Sequence, residues 1–112
     1  MPIPSGAGDK TGMVIHSVFF WLKPELSDEQ RLAFRAAAEA LRSIPSVRSL
    51  FLGTPALIPV RPVVDASYSY ALSITFDDIA GHDDYQVHPA HRAFVDKNRD
   101  LWDRVQIYDA SN

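Results

Sequence analysis

The sequence contains no cysteine, which excludes disulfide staples, thiolate nucleophiles and thiolate metal sites together. A cysteine-free chain suits a reducing compartment, and a cytoplasmic location is the expectation. Glycine is scarce, with 5 scattered residues in 112, so there is no Gly-rich phosphate loop or dinucleotide fingerprint. No serine stands in a G-x-S-x-G turn and no H-E-x-x-H pair occurs. The hydrolase elbow and the helical zinc-protease site are therefore absent. No apolar run comes near the roughly 20 residues that span a bilayer, the longest lying around Val18–Leu22. The 11 Lys and Arg residues are spread among 14 Asp and Glu, for a net charge of −3, and they form no basic stripe that could follow a phosphate backbone. Neither a nucleic acid nor a membrane is an expected partner.

What is present is enough for one compact core: 46% apolar residues and 11% aromatics in a chain of single-domain length. Residues Met1–Gly12 carry Pro, Gly, Ser, Asp and Lys without an apolar h-region. They read as a flexible lead-in rather than a secretory signal, with the ordered domain starting at Met13 and running to residue 112. Val14–Lys23 is rich in β-branched and aromatic residues and is expected to be a strand. His16, Val18, Phe20 and Leu22 share one face, and Ile15, Ser17, Phe19, Trp21 and Lys23 share the other. Ser27 followed by Gln30 fits a capping box, and Phe34, Ala37, Ala38, Leu41 and Ile44 form the apolar stripe of a helix that Pro45 ends.

Val47–Leu52, closed by Gly53, reads as a second strand, and Tyr68–Phe76 as a third with Tyr68, Tyr70, Leu72, Ile74 and Phe76 on one face. Thr54–Ser67, with three prolines, is the loop between them. Helical spacing returns in two pieces, Ile79–Val87 and a second from Pro89 to about Trp102, Pro89 suiting a first helical turn. Val105–Asp109 is the last strand. The order is β-α-β-β-α-β, which predicts an α+β, ferredoxin-like domain with a four-stranded antiparallel sheet and helices on one face. The other face would leave a row of large side chains in water. Pairing two such faces about a two-fold axis covers them, so a homodimer enclosing a pocket is expected.

The chemistry concentrates in Asp84-Tyr85-Gln86-Val87-His88-Pro89-Ala90-His91-Arg92-Ala93-Phe94. His91 falls in the first turn of a helix, where orphan N–H groups disfavour an imidazolium, and a neutral imidazole can serve as general base. Tyr85 could donate a hydrogen bond to a developing oxyanion. His16 and Phe20, on one strand face, and His88, before the proline, are the candidate ligand contacts. Each has a plainer reading. His88 caps a helix, His91 is a satisfied structural histidine, Tyr85 packs, and His16 bonds backbone near a strand end. His88 and His91 with Asp83 and Asp84 nearby raise the question of a metal, but the proline break works against both rings facing one point. No metal and no cofactor is expected.

Several of these features together resemble the stress-responsive A/B barrel proteins. They are His16 in a first strand ending in Lys23, Ile44-Pro45-Ser46-Val47 after the first helix, Gly53 closing a strand, and Asp84-Tyr85 with His88-Pro89-Ala90-His91 and Phe94. The match runs over nearly the whole chain after Met13, and its Tyr…His-Pro-x-His segment is the most specific part. The resemblance implies a dimeric α/β barrel. A plant branch of that family is similar to polyketide cyclases, which close poly-β-keto chains by cofactor-free aldol chemistry. Carried over by position, that branch's acid–base pair is Tyr85 and His91, with His16 as cavity neighbour. Ala38 stands where those cyclases carry a pocket tyrosine, and the Thr54–Ser67 loop is longer than theirs.

Two readings of function follow. The first is a cofactor-free cyclase, isomerase or lyase holding a small apolar, phenolic or keto compound between sheet and helices. The second is a non-catalytic, stress-associated binding or structural dimer. A monooxygenase of the antibiotic-biosynthesis type, which shares the barrel, is a third.

Overall fold

A computed structural model of the chain describes residues 12–112. Of the lead-in expected at Met1–Gly12, all but Gly12 lies outside the described residues. Strand β1 spans Val14–Leu22, helix α1 Asp28–Ala40, β2 Ser49–Gly53, β3 Tyr70–Phe76, α2 Ile79–Val87, α3 Pro89–Asn98 and β4 Trp102–Ser111. Single 3₁₀ turns at Leu41–Ser43 and Arg99–Leu101 follow α1 and α3. The strands form one antiparallel sheet in the order β2-β3-β1-β4. This is the ferredoxin-like arrangement expected, with β1 and β3 central and β2 and β4 at the edges.

The strict alternation along β1 sets the two sides of the sheet. Val14, His16, Val18, Phe20 and Leu22 are buried, and the residues between them are exposed or half-buried. β3 repeats the pattern with Tyr70, Leu72, Ile74 and Phe76 buried. Against this face α1 lays Phe34 and Ala38, and Phe34 meets the rings of Phe20 at 5.0 Å, Tyr70 at 5.7 Å and Phe94 at 5.8 Å. α1 begins as its sequence dictates: Ser27 Oγ accepts from Gln30 N, while Gln30 Oε1 accepts from Ser27 N. Two orphan donors are satisfied at once. Ile44, before Pro45, leaves the helical region at φ −66°, ψ 125°.

Three expectations are corrected. Tyr68 lies outside β3 and on the opposite side of the sheet, where its ring meets Phe19 at 5.1 Å and Trp21 at 6.5 Å. Ser69 causes this shift: its N–H bonds Phe20 O and its Oγ accepts from Leu22 N, so the chain docks there before the ladder begins. The helix expected to reach Trp102 stops at Asn98, whose amide folds back onto Phe94 O. Trp102 instead opens β4, which is twice as long as the Val105–Asp109 strand expected, because its polar residues belong to an edge.

The side of the sheet away from the helices carries Ile15, Phe51 and Tyr108, 44%, 66% and 62% exposed, beside the half-buried Phe19 and Trp21. The β2–β3 loop adds Leu57, Ile58, Val60 and Val63, all more than 60% exposed.

Candidate functional site

On the helix side, a cavity of about 220 Å³ opens between β1, β4 and the α2–α3 corner. Its walls are Val18, Phe20, Leu72, Phe94, Trp102, Val105 and Ile107, and its polar groups come from His16, Tyr85, Gln86 and His91. Apolar walls with a few convergent polar groups are the form small-molecule sites take. A smaller groove of about 140 Å³ on the far face of the sheet is lined by Phe19, Trp21, Tyr68, Arg104 and Tyr108, among others. It holds no histidine, and Arg104 covers the Trp21 ring at 4.2 Å.

Pro89 creates the site. In a continuous helix the Ala90 N–H would bond the Gln86 carbonyl four residues back. Here Pro89 restarts the helix at its first position and Ala90 N–H bonds His88 Nδ1 at 3.0 Å instead. The freed Gln86 carbonyl then accepts from His91 Nδ1–H at 3.2 Å. Holding the proton on Nδ1 leaves the Nε2 lone pair of His91 as the basic atom. The Tyr85 ring lies 4.5 Å from the His91 ring and 5.8 Å from that of His16. Burial pushes the Tyr85 phenol far above its ordinary value, so it stays a proton-bearing donor.

Burial also lowers the pKa of His91 below its ordinary 6.5, with the neighbouring His16 and His82 imidazoles adding to the effect and the Gln86 carbonyl opposing it. The consequence for stability has a definite sign. Below pH 6.5 the unfolded chain binds a proton that native His91 refuses, so stability falls as the pH drops toward the folded pKa and levels off beneath it. Thermal melts between pH 7 and pH 5 should therefore show a shallower decline in His91→Gln than in the parent. Equal slopes would mean that His91 titrates as it does in the unfolded chain.

The structure brings Tyr85, His91, His16 and Phe20 together around one cavity. His88 is not in its lining, since its ring is occupied in capping α3. Among the described residues His16 does not bond backbone at a strand end. Its Nδ1 pairs with Asp109 Oδ1, the residue directly opposite on β4, at 2.5 Å. Sequence reasoning missed three neighbours. His82 lies 5.3 Å from the His16 ring, Asp109 pairs with His16 across strands, and Trp102 carries an indole N–H that is buried with no partner among the described residues. His82 precedes Tyr85 by one helical turn, and that spacing was the one signal available for it.

Comparisons with known proteins agree with this architecture. The profile of the stress responsive A/B barrel domain matches residues 14–112. Olivetolic acid cyclase of Cannabis sativa is 25% identical over 97 residues, 86% of this chain and 93% of that protein. A hydroxynitrile lyase from Passiflora edulis superposes with a TM-score of 0.78 at 21% identity, over 92% of this chain and 95% of the other. A dimeric protein of ferredoxin-like fold from Bacteroides fragilis does so with a TM-score of 0.68 at 26% identity, over 90% and 97%. Among the described residues no helix is long and apolar enough to cross a membrane.

Proposed function

The chain belongs to the stress responsive A/B barrel domain family, and on that premise we propose that it is a cyclase, isomerase or lyase acting on a small keto or phenolic compound. The observation that carries this reading is the pairing of a neutral, basic His91 with a proton-bearing Tyr85 in one apolar cavity. His91 Nε2 takes a proton from the carbon beside a carbonyl, and the electron pair moves onto the carbonyl oxygen. Tyr85 donates a hydrogen bond to that oxyanion. The enolate carbon then either attacks a second carbonyl, forming a ring bond while the alkoxide so formed takes the proton back from His91, or is reprotonated by His91 at a new position. His16 and Phe20 line the cavity as ligand contacts. The name of the cannabis relative, a cyclase, supports this class of reaction.

The size of the cavity limits the substrate. An apolar cavity of about 150 Å³ accommodates benzene, so about 220 Å³ suits one ring with short substituents. A panel of phenolic and polyketo acids is the direct test. A compound at about a hundred times its Kd should add roughly 2.7 kcal/mol to stability. That gain should shrink in His91→Gln. No stabilisation by any compound, together with no turnover, would leave the non-catalytic dimer as the better reading.

We assign the apolar far side of the sheet to a second copy of the chain. Ile15, Phe51 and Tyr108 are exposed there, the β2–β3 loop exposes Leu57, Ile58, Val60 and Val63 as well, and the Bacteroides fragilis protein of the same fold is dimeric. Light scattering should give twice the 12.5 kDa chain mass. Ile15→Asp should weaken self-association at least about tenfold, or about 1.4 kcal/mol, with the fold retained, since Ile15 is 44% exposed in one chain. A wild type that stays monomeric at micromolar concentration would remove the dimer.

A further inference from the structure

His16 on β1, His82 on α2 and Asp109 on β4 each place one donor atom within 4.8 Å of the other two. We propose that these three side chains bind a divalent transition metal of the zinc type. The cluster sits behind the cavity wall and shares only His16 with it. It goes beyond the acid–base pair and does not depend on it.

The first observation is an orphan. His82 Nε2 is buried and has no hydrogen-bond partner among the described residues, although buried ring nitrogens are nearly always satisfied. The second is the orientation of that ring. His82 Nδ1 lies 3.1 Å from Asp83 Oδ1, so Nδ1–H donates to the carboxylate and the lone pair is left on Nε2. A histidine ligand whose second nitrogen donates to a carboxylate is the usual outer-shell arrangement of metal sites. The third is the donor set. Two imidazoles and one carboxylate suit zinc, cobalt or nickel rather than magnesium or calcium, which prefer all-oxygen shells. Three protein ligands leave a fourth position for water or an added ligand.

The adjustment required is small and falls on the exposed partner, Asp109. Ligand bonds to zinc are about 2.0–2.2 Å long, so the 2.5 Å His16–Asp109 contact must open while His82 closes in. The metal then takes the place of the hydrogen between His16 Nδ1 and Asp109 Oδ1, and the neutral imidazole carries its one proton on Nε2 instead. The Asp109 side chain is 46% exposed on an edge strand, which allows this movement and gives the ion a path from solvent.

The test uses the whole chain, freed of metal by chelator dialysis and titrated with Co²⁺, whose visible bands report a four-coordinate site. One Co²⁺ should bind per chain and be displaced by Zn²⁺. His82→Gln and Asp109→Asn, checked for folding by circular dichroism, should each bind at least a hundredfold more weakly. Asp83→Asn should lose about tenfold or more, as outer-shell changes do. His91→Gln should bind as the parent does, so the result stands whether or not the acid–base reading is right. No saturable site up to millimolar Co²⁺, or parental affinity in His82→Gln, would overturn the proposal.

Discussion

Replacing His91 by glutamine should lower kcat/KM for a substrate the cavity accepts by about 10²–10⁴-fold, the range that a positioned general base supplies. The loss should be almost entirely in kcat if, as proposed, the side chain acts on a proton in transit, since it supplies little of the apolar wall. The pH profile gives a second, independent signature. His91 keeps its basic form to lower pH than an ordinary imidazole because burial lowers its pKa from 6.5. The acid limb of kcat/KM in the parent should therefore fall below pH 6.5 and disappear in the variant. Tyr85→Phe should cost less, since it removes one donor to the oxyanion while leaving the ring and its packing in place. A parental rate in His91→Gln would take the imidazole out of the mechanism even if the cavity still binds ligand.

The largest effect on stability is expected at Phe34. The side chain is fully buried, and three other aromatic rings surround it from β1, β3 and α3. Phe34→Ala removes the knob with which α1 is fixed to the sheet and leaves a cavity that rigid strands cannot collapse. Such truncations cost about 3–5 kcal/mol. At about 4 °C or more per kcal/mol for a domain of this size, Tm should fall by well over 10 °C. Phe34→Leu, which refills most of the volume, should recover much of the loss. A fall of only a few degrees for the alanine variant would mean that α1 repacks as a unit.

How much of this could be read from the chain depends on the distance over which each feature is determined. The alternation of β1, the Ser27–Gln30 box and the Pro89 restart are local, and their residues declare them. The Tyr85–His91 pair is local too, since both lie on either side of the same helix break. Tyr68 reads as strand because period-two alternation continues through Ser69, while the actual strand begins after Ser69 has bonded to β1. His82 and Asp109 belong to another class. His16 and Asp109 are 93 positions apart, and only the β1–β4 register puts them opposite each other. No spacing rule reaches that far. β4 was read as short for a related reason: edge strands carry charged and polar residues, so Asp103 and Arg104 do not look like strand.

The sheet order also bears on how readily the cavity could change its shape. Val105 and Ile107 form one wall of the cavity, yet they sit on an edge strand, 38% and 44% exposed, outside the buried cluster that unites β1, β3 and α1. Enlarging or shrinking them reshapes the cavity without removing anything from the core. Freedom to vary and folding are therefore assigned to different positions: the central pair of strands tolerates little change, while Val105 and Ile107 on β4 can change and reshape the cavity with them.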